Sequence, residues 1–125
     1  MDTRKKIVEF SEFERRLSRD RWTVVAGFFD PLTTVQAKRL SRLVERERKL
    51  AAIVLNGNGT LLTSDARAVL VAALRDVNLV AIADGDEWQD RIAGLEAVRV
   101  LQDSAGEAAR TAEFVQFVLN RQRNV

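Results

Sequence analysis

The chain contains no cysteine and no histidine. Without cysteine there can be no disulfide, no thiolate zinc site and no cysteine nucleophile. The missing histidine excludes more: no imidazole can act as a general base, ligate a metal or place charge on a phosphate. Long apolar runs are absent too. None approaches the roughly 20 residues that a spanning helix needs, so no membrane partner is expected. The opening MDTRKKIVEF has basic residues with no apolar stretch behind them, so the reading expects no secretory leader and a cytoplasmic location. Charge of either sign is not in short supply. Twenty basic residues stand against 18 acidic ones, a net +2 that does not demand a nucleic-acid partner.

What is present fits one soluble domain over residues 1–125, long enough to bury a sizeable core. Strand-like and helix-like segments alternate. Ser11 and Glu14 form a capping-box pattern that predicts a helix to about Arg19, with Phe13 and Leu17 on its apolar stripe and Phe10 just before it. Arg15, Arg16, Arg19 and Arg21 cluster here. The favoured reading is a solvated face, and the other is contact with a phosphate or an acidic partner.

Trp22 to Ala26 reads as a strand that breaks at Gly27. Asp30-Pro31 follows, and a helix is predicted from Thr34 to Arg48, with Leu40, Leu43 and Val44 toward the sheet. Leu50 to Leu55 is apolar throughout, as strands buried on both faces tend to be. Asn56 to Gly59 is a turn by composition. A helix from Ser64 to Asp76 is expected to turn Ala66, Val69, Leu70, Ala73, Leu74 and Val77 inward.

Leu79 to Ala83 gives a third strand, closed by Asp84-Gly85-Asp86. Trp88, Ile92 and Leu95 mark a short helix, and Val98 to Leu101 a fourth strand. Ser104 and Glu107 repeat the capping pattern, predicting a last helix to about Arg121 with Ala108, Ala112, Val115, Val118 and Leu119 inward. Phe114 and Phe117 widen its apolar face. They either pack on the N-terminal helix, the favoured reading, or belong to a homodimer surface.

This alternation implies an α/β, Rossmann-like parallel sheet with helices on both faces. Ligands of such sheets bind beyond the carboxyl ends of the strands, where strand order reverses. That edge collects Gly27 to Thr34, Asn56 to Thr60 and Asp84 to Asp86.

Gly27-Phe28-Phe29-Asp30-Pro31-Leu32-Thr33-Thr34-Val35-Gln36 resembles the G-x-F-D-x-x-H-x-G-H signature of the nucleotidylyltransferase superfamily. The likeness is to bacterial heptose-1-phosphate adenylyltransferases and glycerol-phosphate cytidylyltransferases. KKIVEFSEFERRLSRDRWTVVAGFFD is similar to the adenylyltransferase's lead-in helix, strand and turn, and ARAVLVAALRDVNLVAI to its D-R-x-x-x-L-A-A-L-x-x-V-D-x-V-V. The two matches together cover roughly residues 5 to 85. The resemblance implies an α/β/α sandwich binding ATP or CTP with Mg²⁺. It also implies Gly27, Phe28, Phe29, Asp30, Thr33, Thr34, Gln36, Asn56 and Arg67 as the nucleotide- or phosphate-binding positions.

The family's two histidines donate to the triphosphate. Here Thr33 and Gln36 stand in their places, and Val35 replaces the glycine between them, which should narrow the floor of the site. Thr and Gln donate only neutral hydrogen bonds, about half as strong as charge-assisted ones. Asn56 to Ser64 holds no Lys or Arg where the family has a basic loop, and Ala66 replaces an acidic residue. Of the family's C-terminal phosphate-holding signature only Ser104 before a helix suggests itself.

The favoured reading is therefore a degenerate nucleotidylyltransferase-like domain without transfer activity, keeping weak nucleotide or phosphate binding in a regulatory role. Its catalytic and metal positions are none. An active adenylyl- or cytidylyltransferase on a sugar phosphate stays open as an alternative. So does a homodimeric interaction module without nucleotide. Nucleic acid ranks last.

Individual residues have plainer roles beside these. Asp30 is equally a turn residue, Thr33 and Thr34 are N-caps by preference, and Arg67 is equally a surface side chain. Asp84 and Asp86 read better as a solvated turn than as a cation site, and Trp88 better as core than as a stacking platform.

Overall fold

Every residue from Trp22 to Gly27 is buried, and its side chains divide between two layers. In the computed structural model Trp22, Val24 and Ala26 join one apolar cluster and Val25 the other. The second strand repeats the pattern: Ala51, Ile53 and Leu55 face one way, Leu50, Ala52 and Val54 the other. A period of two with apolar residues at both phases requires cover on both faces. That cover is helical.

The structure describes residues 2–30, 32–44, 48–57, 60–95, 98–103 and 114–117. After a 3-10 turn at Thr3–Lys6 come α1 (Phe10–Leu17), β1 (Trp22–Gly27), α2 (Thr34–Arg42), β2 (Lys49–Leu55), α3 (Ser64–Ala72), β3 (Leu79–Ala83), α4 (Glu87–Ile92), β4 (Val98–Asp103) and β5 (Phe114–Phe117). The sheet order is β3-β2-β1-β4-β5. Pairs β1–β2, β1–β4 and β2–β3 are parallel, whereas β4–β5 is antiparallel. Phe13 and Leu17 of α1 share a core with Trp88 and Ile92 of α4, and Leu40 of α2 shares the opposite core with Ala68, Val71 and Ala72 of α3.

This is a Rossmann-like α/β fold. The chain winds outward from β1 to β3, then returns to the other side of β1, so strand order reverses between β1 and β4. No helix among the described residues is long and apolar enough to cross a membrane.

Four expectations need correction. The Ser11–Glu14 box does not form: α1 starts a residue earlier, at Phe10, behind Glu9, which makes no side-chain cap bond. Glu14 instead pairs with Arg91 of α4, and the helix ends at Leu17 rather than Arg19. The second correction concerns α2, which stops at Arg42 instead of running to Arg48. Arg48 reaches across to donate from Nη1 to the Trp22 carbonyl at 3.0 Å, and Val44 is 47 % exposed instead of facing the sheet.

The third concerns α3, which also stops early, at Ala72, and presents a different face along its length, although Leu74 and Val77 beyond its end do pack inward. Arg67, Ala68, Val71 and Ala72 are buried, while Val69 and Leu70 are 38 % and 42 % exposed. The cause is Arg67, whose bonds, described below, hold the helix rotated away from its most apolar stripe. Last, Phe114–Phe117 is a strand on β4 and not part of a helix. An open strand edge offers partners to the backbone, and Phe-Val-Gln-Phe suits a pleated surface. The rest of the expected helix, including Ser104 and Glu107, lies outside the described residues.

The rotation of α3 is measurable. Val71→Ala removes two methyl groups from a fully buried site and should cost about 2 kcal/mol. Leu70→Gln should stay within about 0.5 kcal/mol, as exposed positions do. Urea midpoints ranked the other way would restore the face read from the sequence.

Candidate functional site

The carboxyl edge of the sheet is built around the turn that leaves β1. Phe29, fully buried, has φ 51°, the left-handed region that a bulky residue rarely adopts. Such a conformation costs on the order of 1–3 kcal/mol and persists only where its surroundings fix it. Here three anchors do so. The Phe29 ring is packed in the core with Leu40 and Val54. The Phe28 carbonyl accepts from Arg67 Nη1 at 2.8 Å. Asp30 accepts from the Leu61 and Leu62 amides at 2.5 and 2.8 Å, joining the turn to the segment before α3.

Arg67 is the centre of this edge and is fully buried. Nη1 also donates to the Leu55 carbonyl at 2.7 Å, Nε to the Leu62 carbonyl at 3.1 Å, and Nη2 to Asn56 Oδ1 at 3.4 Å. All its acceptors are neutral. Asn56 continues the line, with Nδ2 donating to Asp84 Oδ1 at 2.5 Å and its backbone N–H to the Ala83 carbonyl at 3.0 Å. Polar contacts therefore run across the ends of β1, β2 and β3. Gly57 lies so close to the Phe28 ring that a Cβ would stand 2.7 Å from its Cε1. Any side chain there would push the ring, and with it the turn.

At the start of α2, Thr33 is the N-cap. Its Oγ1 accepts from the Gln36 amide at 3.1 Å, and Gln36 Oε1 accepts from the Thr33 amide at 3.1 Å, a complete capping box. Gln36 is only 4 % exposed. Thr34 and Val35 face solvent, and Val35, at 54 % exposure, does not wall a site as expected.

The structure thus gathers Gly27, Phe28, Phe29, Asp30, Asn56 and Arg67 at one edge, with Thr33, Thr34 and Gln36 opening the adjoining helix. Arg67 is not the surface residue that helical periodicity allowed. Its position was marked in the sequence by the resemblance of Ala66-Arg67 to the family's D-R pair, while helical periodicity gave no sign that it is buried. The anchoring amides of Leu61 and Leu62 carried no sequence signal. Asp84 is engaged by Asn56, and no group of three or more potential metal ligands occurs among the described residues. Trp88 is core, 2 % exposed. No protein-family model and no curated protein matches the chain.

The arrangement is a rigid turn leading into a capped helix N-terminus, above a buried positive charge. A helix start of this kind favours anions. The anchors themselves can be tested by stability. Arg67→Met should take the donor from one buried and two part-buried carbonyls and cost about 3 kcal/mol, since each buried unpaired group costs about 1–3 kcal/mol. Asp30→Asn should cost about 1.5–3 kcal/mol, the worth of hydrogen bonds to a charged group. Denaturant titration checks both, and a neutral Arg67→Met would remove the guanidinium from the centre of this edge.

Proposed function

We propose that this chain is a nucleotidylyltransferase-like domain that no longer transfers nucleotides and binds a nucleotide or phosphorylated small molecule weakly, in a regulatory or binding role. The observation that carries this reading is the inward turn of Gln36. The side chain at the second histidine position closes the capping box on Thr33 instead of presenting a donor outward. Asp30 is likewise occupied by backbone amides.

Phosphoryl chemistry depends on positioned positive charge around the transferring group. The positive charge found at this edge, Arg67, is fully buried and donates to four protein acceptors. What faces outward is the start of α2 with Thr34 and Val35. A helix dipole contributes about 0.3–1 kcal/mol toward an anion at exposed sites. Millimolar affinity, about −4 kcal/mol, is the range such a site reaches.

Calorimetry with ATP and with CTP, each with Mg²⁺, should give Kd values near or above about 1 mM. A pyrophosphate-release assay across sugar and polyol phosphates should give no turnover above the buffer rate. Release of pyrophosphate would overturn the loss of transfer. Absence of binding even at saturating nucleotide would leave a scaffold without a nucleotide site.

A further inference from the structure

At the opposite, amino-terminal edge of the sheet lies a cleft of about 360 Å³ lined by Arg16, Arg19, Asp20, Trp22, Lys49 and Asn78. Its cations outnumber their partners. Arg15 and Arg16 share one carboxylate, Glu12, with Arg16 Nε 2.9 Å from it, and Lys49 Nζ lies 3.0 Å from Asp20. Arg19, beyond the Ser18 cap of α1, makes no ion pair among the described residues. The cleft lining itself thus holds three cations, Arg16, Arg19 and Lys49, and one carboxylate, Asp20, with Glu12 pairing Arg16 from outside it. The one pair within the cleft, Lys49–Asp20, is solvent-exposed at both ends, and exposed pairs are worth little, so an anion can displace it.

The floor is fixed. The Trp22 indole N–H donates to the Arg16 carbonyl at 3.1 Å, and Lys49 Nζ stands 5.6 Å from the indole ring centre. Asn78 Oδ1 accepts from the Leu50 amide at 3.2 Å, which leaves its NH₂ group as a donor without a partner among the described residues. Arg16, Arg19 and Lys49 therefore converge with one neutral donor on a cavity within the size range of small-molecule sites.

We infer that this cleft binds a compact, multiply charged anion of the phosphate class. Nucleic acid fits it less well. Trp22 is buried rather than presented as a stacking platform, and single-strand binders rely on such platforms. The inference does not rest on the site at α2, which lies at the other end of the strands.

The chain has two tryptophans, so indole N–H resonances report on the cleft directly. Titrating the ¹⁵N-labelled full chain with tripolyphosphate at low ionic strength should shift the Trp22 indole saturably and leave that of Trp88 in place. Arg19→Gln combined with Lys49→Gln should weaken binding at least tenfold, whereas Arg19→Lys should keep it within about threefold, because an ammonium retains the charge. Both positions are exposed, and an unchanged melting temperature verifies folding of each variant. Three results would overturn the inference: an unmoved Trp22 indole, equal affinity in the double variant, or shifts centred on Thr33 to Gln36. Tighter binding of an oligonucleotide than of tripolyphosphate would also overturn it, in favour of a nucleic-acid surface.

Discussion

A guanidinium buried from solvent and bonded to neutral acceptors holds the carboxyl edge of this sheet together. Burying a charge is costly unless its hydrogen-bonding capacity is met, and Arg67 uses four of its five N–H groups, on three backbone carbonyls and one side-chain amide. Those carbonyls belong to Phe28, Leu55 and Leu62, which follow β1, end β2 and precede α3. The Leu55 carbonyl is buried and the other two are part-buried, so each loses access to water that the guanidinium makes good. Arginine suits this position better than lysine because its planar fork reaches diverging acceptors at fixed angles. One side chain therefore sets the exit of two strands and the entry of a helix.

The consequences spread outward from that point. With the Phe28 carbonyl pinned, the chain turns through a left-handed Phe29, and Asp30 ties the turn to Leu61 and Leu62. The start of α2 is then presented beyond the end of β1, beside the reversal of strand order. On the rest of the sheet nothing comparable is needed. Apolar residues at both phases of β1, β2 and β3 bury against α1 and α4 on one face and α2 and α3 on the other. Dispersion and dehydration hold the layers, while a few polar contacts determine where the edge goes.

This division explains what could be read from the sequence. Strand runs such as Leu50 to Leu55 and Leu79 to Ala83 are legible because two-sided burial leaves an unbroken apolar signature. The Thr33 cap and the short helix at Trp88 are legible because capping and spacing are local. The face of α3 was not, since periodicity weighs Val69 and Leu70 above an arginine, and only the carbonyls of Phe28 and Leu55, distant in sequence, reverse that ranking. Phe114 to Phe117 failed for a related reason. Helical spacing there competed with a neighbouring strand edge, and tertiary pairing overrode the local pattern. At the candidate site the residue types were legible but not their direction: Gln36 and Asp30 could have pointed outward, and both point into the protein.

The two edges of the sheet consequently treat charge in opposite ways. At the carboxyl edge, Asp30, Thr33, Gln36, Asn56 and Arg67, which the nucleotidylyltransferase resemblance would aim at a ligand, are bound to the protein itself, while Thr34 faces solvent. A phosphate arriving there must compete with bonds already made, each worth about 0.5–1.5 kcal/mol net, and more where a charge is involved. The amino edge has the reverse balance. Lys49 and Arg19 are exposed and loosely held, so an anion displaces water and weak surface pairs rather than buried hydrogen bonds. The fixed polar contacts at the first edge serve stability. The second keeps charge available at the cost of precision, so its selectivity depends on the number of charges on the guest and falls with added salt.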